Sequence, residues 1–151
     1  MKSKIALTVL LVFALAQLFQ PTQTEQQQVD ENDFLQIEKP PNELKVYLES
    51  NCYDCHSNQP KYPWYSEISP VSWWIQDHIE EGSEHLNFSN WGSYSAKKKA
   101  HKMEEAVEEV EEDEMPLPSY TIIHREAILE EGEKIALMDW FKSLQLKYET
   151  H

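Results

Sequence analysis

A small, mostly α domain behind an N-terminal apolar segment is the fold class this sequence predicts. Only three of its 151 residues are glycine, the β-branched alternation of strands is sparse, and apolar residues recur instead at helical spacing. A chain of 151 residues suffices for one domain with appendages. Thirteen basic against 27 acidic side chains give a net charge of −14, which excludes nucleic acid as a partner and favours proteins with basic patches.

Taken in order, Lys2 and Lys4 precede an apolar run from Ile5 to Ala16, which Leu18 and Phe19 extend. That is the pattern of an export signal. Ala14-Leu15-Ala16 offers the small residues of a cleavage site, while the continuing apolar character fits a retained anchor, at the short limit of the about 20 residues a span takes. Either way the lysines stay inside and the rest is exported. Residues 1–20 are therefore expected as signal peptide or membrane anchor, with the remainder periplasmic or facing the periplasm from the inner membrane. The Gln-, Glu- and Thr-rich residues 21–33 read as a flexible tether, and 34–148 as the folded domain.

Pro40-Pro41 marks the start of the domain's first helix, with Leu44, Val46, Tyr47 and Leu48 along Asn42 to Asn51. That helix delivers Cys52-Tyr53-Asp54-Cys55-His56, a C-x-x-C-H run holding both cysteines of the chain. On a helix, positions i and i+3 share a face, so two thiols can each add to a vinyl group on one porphyrin edge. The adjoining histidine then reaches the iron from the proximal side. The expected cofactor is haem c with its iron, anchored by Cys52 and Cys55 and ligated by His56. A thiol redox pair, half a zinc site and two unrelated buried cysteines are the alternatives. Zinc wants four ligands and no second pair is present, and a redox pair wants a βαβ context. A haem at the centre also supplies core that a small helical domain lacks.

After the motif, Tyr62-Pro63-Trp64-Tyr65 is dense in rings, which suits packing on a large flat apolar object, and Trp64 and Tyr65 are placed at the cofactor. Ser69-Pro70 reads as cap and first residue of a helix stopped at Gly82. Its stripe of Val71, Trp74, Ile75, His78 and Ile79 puts Trp74 and His78 toward the haem. His78 is expected to bond backbone or a propionate, with sixth ligation of the iron as the alternative. Leu86 to Trp91 is a turn bringing Trp91 to the same group. Ser95 to Glu114 should be a helix with Met103, Ala106, Val107 and Val110 inward. Eight of the eleven residues Glu104 to Glu114 are acidic, a solvated face or a docking face for a basic redox partner, without the pattern of a calcium loop. Met115 follows in a loop stiffened by Pro116 and Pro118, a place from which a thioether can sit over an iron, whereas Met103 and Met138 read as core. A last helix from Ala127 to Tyr148, with Ile135, Met138, Phe141 and Leu144 inward beside Trp140, should cross the first helix of the domain.

These stretches together resemble the bacterial haem-binding domain family, small single-haem relatives of class I cytochrome c. The resemblance runs from about Glu43 to Lys142. It is carried by Cys52 to Ser57, Tyr62 to Tyr65, Pro70 to Trp73, His78 to Gly82, Leu86 to Ser89 with Trp91, Met115-Pro116 with Tyr120, and His124, Ala127 and Trp140. It implies a cytochrome c-like helical fold wrapped around one covalently attached haem, with Met115 at the methionine-proline ligand position. The expected function is single-electron transfer rather than enzymatic catalysis. A ligand sensor or peroxidase-like enzyme with an open sixth site is the alternative, although the only arginine, Arg125, has no evident distal histidine partner. A membrane is the expected partner of the N-terminal segment if that segment is retained.

Overall fold

The computed structural model describes residues 1–150, and among them there are helices and turns but no β-strand. Helix α1, Lys2–Ala16, is apolar on every side beyond its first turn and buries none of its residues. At 1.5 Å per residue its 15 residues extend about 22 Å. No helix among the described residues is long and apolar enough to cross a membrane. The polar stretch that follows lies along the domain. Thr24 N–H donates to Tyr62 Oη, Gln26 Nε2 to the Pro60 carbonyl and Gln27 N–H to the Asn58 carbonyl, each at 2.9 Å.

The core begins at Asp33, which caps α2 (Phe34–Glu38) by accepting from Leu35 N–H at 2.9 Å and also accepts from Tyr53 Oη at 3.0 Å. Phe34 is fully buried, with its ring 4.7 Å from Phe88 and edge-on to Trp91 at 4.9 Å. Helix α3 (Asn42–Tyr47) runs through a π-helical turn, Leu48–Cys52, into α4 (Tyr53–His56). Leu48 is buried there, whereas Val46 is 64% exposed, because Leu44, Tyr47, Leu48 and Asn51 form the inner face and Val46 lies off it.

Helix α5 spans Val71–His85, with Pro70 in the cap position, and it passes straight through Gly82, where a stop was expected. Its buried face is Ser72, Gln76 and Ile79, about one position round from the expected stripe. Hydropathy misplaces this face because its polar members are satisfied inside. Ser72 Oγ lies 3.1 Å from Ser69 Oγ, and Gln76 Oε1 accepts from Tyr62 Oη at 2.9 Å. After a 3₁₀ turn, Phe88–Ser93, helix α6 (Ala96–Glu111) is capped by Ser95 and turns Met103, Val107 and Val110 inward as expected.

The short α7 (Pro118–Thr121) and a 3₁₀ turn at Arg125–Ala127 take up the residues before α8 (Glu131–Glu149), which opens with a Glu130/Glu133 capping box. That later start changes the packing expected for the last helix. It buries Leu137, Phe141 and Leu144, leaves Ile135 46% exposed, and lies along α6 rather than across α3.

Glu38 closes the fold. Its side chain is fully buried and accepts from Trp91 Nε1 and Lys147 Nζ, each at 2.7 Å, and from Tyr148 Oη. Burial pushes its carboxyl up, but the bonds from Lys147, Tyr148 and Trp91 outweigh burial and hold it below its ordinary value. Its stabilising contribution is therefore present above the unfolded carboxylate range and lost as pH falls through the lowered folded value. Glu38→Gln should cost on the order of 2 kcal/mol at pH 7, less than a fully buried pair because Lys147 is half exposed. Urea denaturation at pH 7 and pH 3 checks this: the gap between wild type and variant should shrink in acid.

Candidate functional site

A cavity of about 530 Å³ opens between α4, α5, α6, α8 and the Met115 loop. Cys52, Cys55, His56, His78 and Met115 all line it, so five of the residues singled out in the sequence come together. The π-helical turn and α4 place the first three. Both cysteines are free and half-buried. Burial pushes their thiols up, to about 12 for Cys52 and about 11 for Cys55, with each carrying a smaller push from Asp54. Such thiols stay protonated at neutral pH, the reverse of the lowered pKa that marks a redox pair. Among the described residues no group of three or more His, Cys, Asp or Glu side chains is arranged to hold a metal ion by themselves.

His56 is oriented from behind. Its Nδ1 lies 2.9 Å from the Gly82 carbonyl and 3.0 Å from that of Leu86. Carbonyls only accept, so Nδ1 carries the proton and Nε2 keeps a bare lone pair. Burial lowers the imidazole's pKa against the pull of those carbonyls, keeping the ring neutral, as a metal ligand must be. Two carbonyls of one helix end thus select the tautomer.

Gly82 explains itself at this point. A Cβ built there would stand 3.1 Å from the Cys55 carbonyl oxygen and 3.3 Å from Cys55 Cβ, so α5 approaches the motif as closely as a bare backbone allows. Ser83 Oγ, next along, donates to that same Cys55 carbonyl at 2.9 Å. Gly82→Val should force Cys55 and the His56 acceptor apart, at about 1–3 kcal/mol of overpacking. Haem bound per chain, measured by absorbance after denaturing extraction, should fall several-fold relative to wild type.

Met115, also in the cavity wall, is half-buried and its N–H donates to the Glu109 carbonyl at 3.0 Å, beside a bond of the same length from Glu114 N–H. Asp113, at φ 60°, makes the left-handed turn that ends α6. Lys134 Nζ caps that end by donating to the Glu111 carbonyl at 3.1 Å. Beyond the loop, Tyr120 Oη donates to Asp54 Oδ2 at 3.0 Å, tying the Met115 segment to the middle of the C-x-x-C-H run. Burial raises the Asp54 carboxyl, partly offset by Tyr120. The Tyr120 ring stacks on His124, centroids 4.3 Å apart, and His124 Nε2 lies 2.7 Å from Tyr65 Oη.

His78 lines the cavity half-buried, with Nδ1 2.8 Å from its own helix's Trp74 carbonyl. The tryptophans and Tyr65 are placed elsewhere. Trp91 is completely buried against Phe34 and Tyr148, Trp64 is 77% exposed, Trp74 is 45% exposed beside His78, and Tyr65 is engaged with His124. None of the four is among the cavity-lining residues. Trp91 belongs to a core cluster with Phe34, Phe88 and Phe141, of which only the two phenylalanines Phe88 and Phe141 also reach the cavity, a division that composition alone cannot show.

Other lining residues had weaker signals. Tyr47, Asn51, His85, Lys102 and Tyr120 join the wall, together with Glu105, Glu108 and Glu109 from the acidic helix. Lys102 Nζ pairs with Glu105 Oε2 at 2.5 Å. Asn51 Oδ1 is buried with no partner. Apolar Leu86, Phe88, Leu137 and Phe141 complete the enclosure. Two thiols one helical turn apart, a neutral imidazole with a bare nitrogen, a thioether lining the same cavity and an unpaired buried amide oxygen form a donor set that fits haem.

No curated protein and no solved structure shows significant similarity to this chain. The model of the haem-binding domain family matches residues 11–143, from inside α1 to within α8. With nearly the whole chain covered, the protein belongs to the haem-binding domain family.

Proposed function

We propose that this chain is an exported c-type cytochrome with one haem that carries single electrons, its haem bonded through Cys52 and Cys55 and its iron held between His56 and Met115. The observation that carries this reading is His56, whose Nδ1 is committed to two carbonyls while its Nε2 is left bare in a cavity shared with both thiols and Met115. Haem c supplies an iron that changes charge by one electron. His56 and Met115 would hold the iron within a mainly apolar enclosure, so that a change of its charge would need little rearrangement. Glu105, Glu108 and Glu109 at the cavity wall favour a redox partner with a Lys- or Arg-rich docking surface. Helix α1, apolar and unburied, suits a retained anchor that keeps the exported domain at the membrane.

Absorption spectra of the protein matured with haem attachment, oxidised and reduced, test the reading. A six-coordinate low-spin iron that resists added cyanide or carbon monoxide supports it. A high-spin iron that binds those ligands overturns it in favour of a ligand sensor or peroxidase-like enzyme. Complete loss of haem in acid-organic extraction would return the cysteines to thiol or metal chemistry.

A further inference from the structure

The junction between α1 and the domain is built, not loose. The Gln17 side chain pairs with the backbone of Ser69 in both directions, Nε2 donating to the Ser69 carbonyl and Oε1 accepting from Ser69 N–H, each at 3.0 Å. Two residues on, the Phe19 carbonyl accepts from Trp73 Nε1 at 2.5 Å, and Ser69 itself is fully buried. Exposed apolar side chains surround this clasp: Leu18 and Phe19 from the chain leaving α1, and Val71, Trp73 and Trp74 from the first turn of α5. They continue the apolar surface of α1 onto the domain without a break in hydrogen-bonded contact.

We propose that this patch is a second bilayer contact, so that the clasp seats the domain on the membrane surface by the first turn of α5 instead of leaving it on a free tether. The inference rests on the reading of α1 as a retained anchor. The occupant is lipid because the patch is continuous with a helix that is apolar all round, and such a helix is stable only in a core or a bilayer. Length points the same way. At about 22 Å, α1 is shorter than the about 30 Å hydrocarbon layer, so its end is drawn into the interface and takes residues 17–19 with it. A tryptophan ring whose N–H is bonded, as that of Trp73 is, suits that depth. Trp64, 77% exposed but without any bond to the α1 junction, serves as an internal reference.

The full chain, with fluorotryptophan and its haem, is placed in phosphatidylcholine nanodiscs containing a lipid spin-labelled near the headgroup, and fluorine NMR reads each tryptophan. Resonances are assigned by Trp73→Phe and Trp74→Phe. Relaxation enhancement several-fold larger at Trp73 and Trp74 than at Trp64 is expected. Gln17→Ala, which removes both hydrogen bonds to Ser69, should lower the ratio of clasped to free domain about 30-fold and bring the three resonances together. Enhancement at Trp73 and Trp74 equal to that at Trp64 in the unmutated chain overturns the inference while leaving the anchor intact. A chain that does not co-isolate with nanodiscs overturns both. Self-association without lipid enhancement at the patch, seen as dimers in detergent, would assign it to a second copy and likewise overturn the proposal.

Discussion

Under the proposed thioether attachment, replacing both Cys52 and Cys55 by alanine is expected to abolish covalent haem binding entirely, and the domain should lose its cooperative thermal transition. The two thiols line one cavity of about 530 Å³ whose walls are drawn from four helices and a loop. Without its occupant that cavity removes contacts from Leu86, Phe88, Leu137 and Phe141 at once. A single cavity-creating substitution costs about 3–5 kcal/mol, and this void is far larger. Against the marginal stability of a domain this size, the loss leaves helices with fluctuating packing. Acid-organic extraction followed by haem absorbance reads the first effect, and a circular dichroism melt the second. A variant that melts as sharply and as high as wild type would show that haem is not part of the core.

Met115→Ala is the second large effect. With the thioether gone, the long-wavelength charge-transfer band of sulfur-ligated oxidised iron should vanish, the iron should bind added cyanide, and the reduction potential should drop by a sizeable fraction of the about 0.8 V that axial ligation spans. His78→Ala is the comparison, because His78 shares the cavity and, with Nδ1 on the Trp74 carbonyl of its own helix, also keeps Nε2 bare as the rival ligand. It should leave the band in place. A band that survives Met115→Ala and is lost in His78→Ala would exchange their assignments.

Much of the candidate site is legible in the sequence, because Cys52, Cys55 and His56, singled out by their spacing, and Met115, singled out by its place between a helix end and two prolines, all line one cavity. What spacing cannot show is how the His56 ring is held. Gly82 reads as a helix stop, yet it serves as the gap that lets α5 touch Cys55 and offer its carbonyl to His56. The inner face of α5 was likewise hidden, since Ser72 and Gln76 are buried by hydrogen bonds that a hydropathy period does not register. Trp91 shows the opposite limit. Its ring reads in the sequence as a cofactor contact, but Glu38 and Phe34 claim it for the core. The shift in α8 came from α7 and the turn at Arg125–Ala127, short elements whose stop signals are weak.

Glu109 faces two ways: its side chain belongs to the cavity wall, and its carbonyl accepts from Met115 N–H. One residue inserted in or deleted from the last turns of α6 would rotate that carbonyl by about 100° and carry the thioether away from His56. The acidic helix can therefore trade one surface side chain for another at little expense, whereas its length is pinned by a bond that no surface comparison would reveal. Sequence divergence in this segment should run by substitution and avoid insertions and deletions.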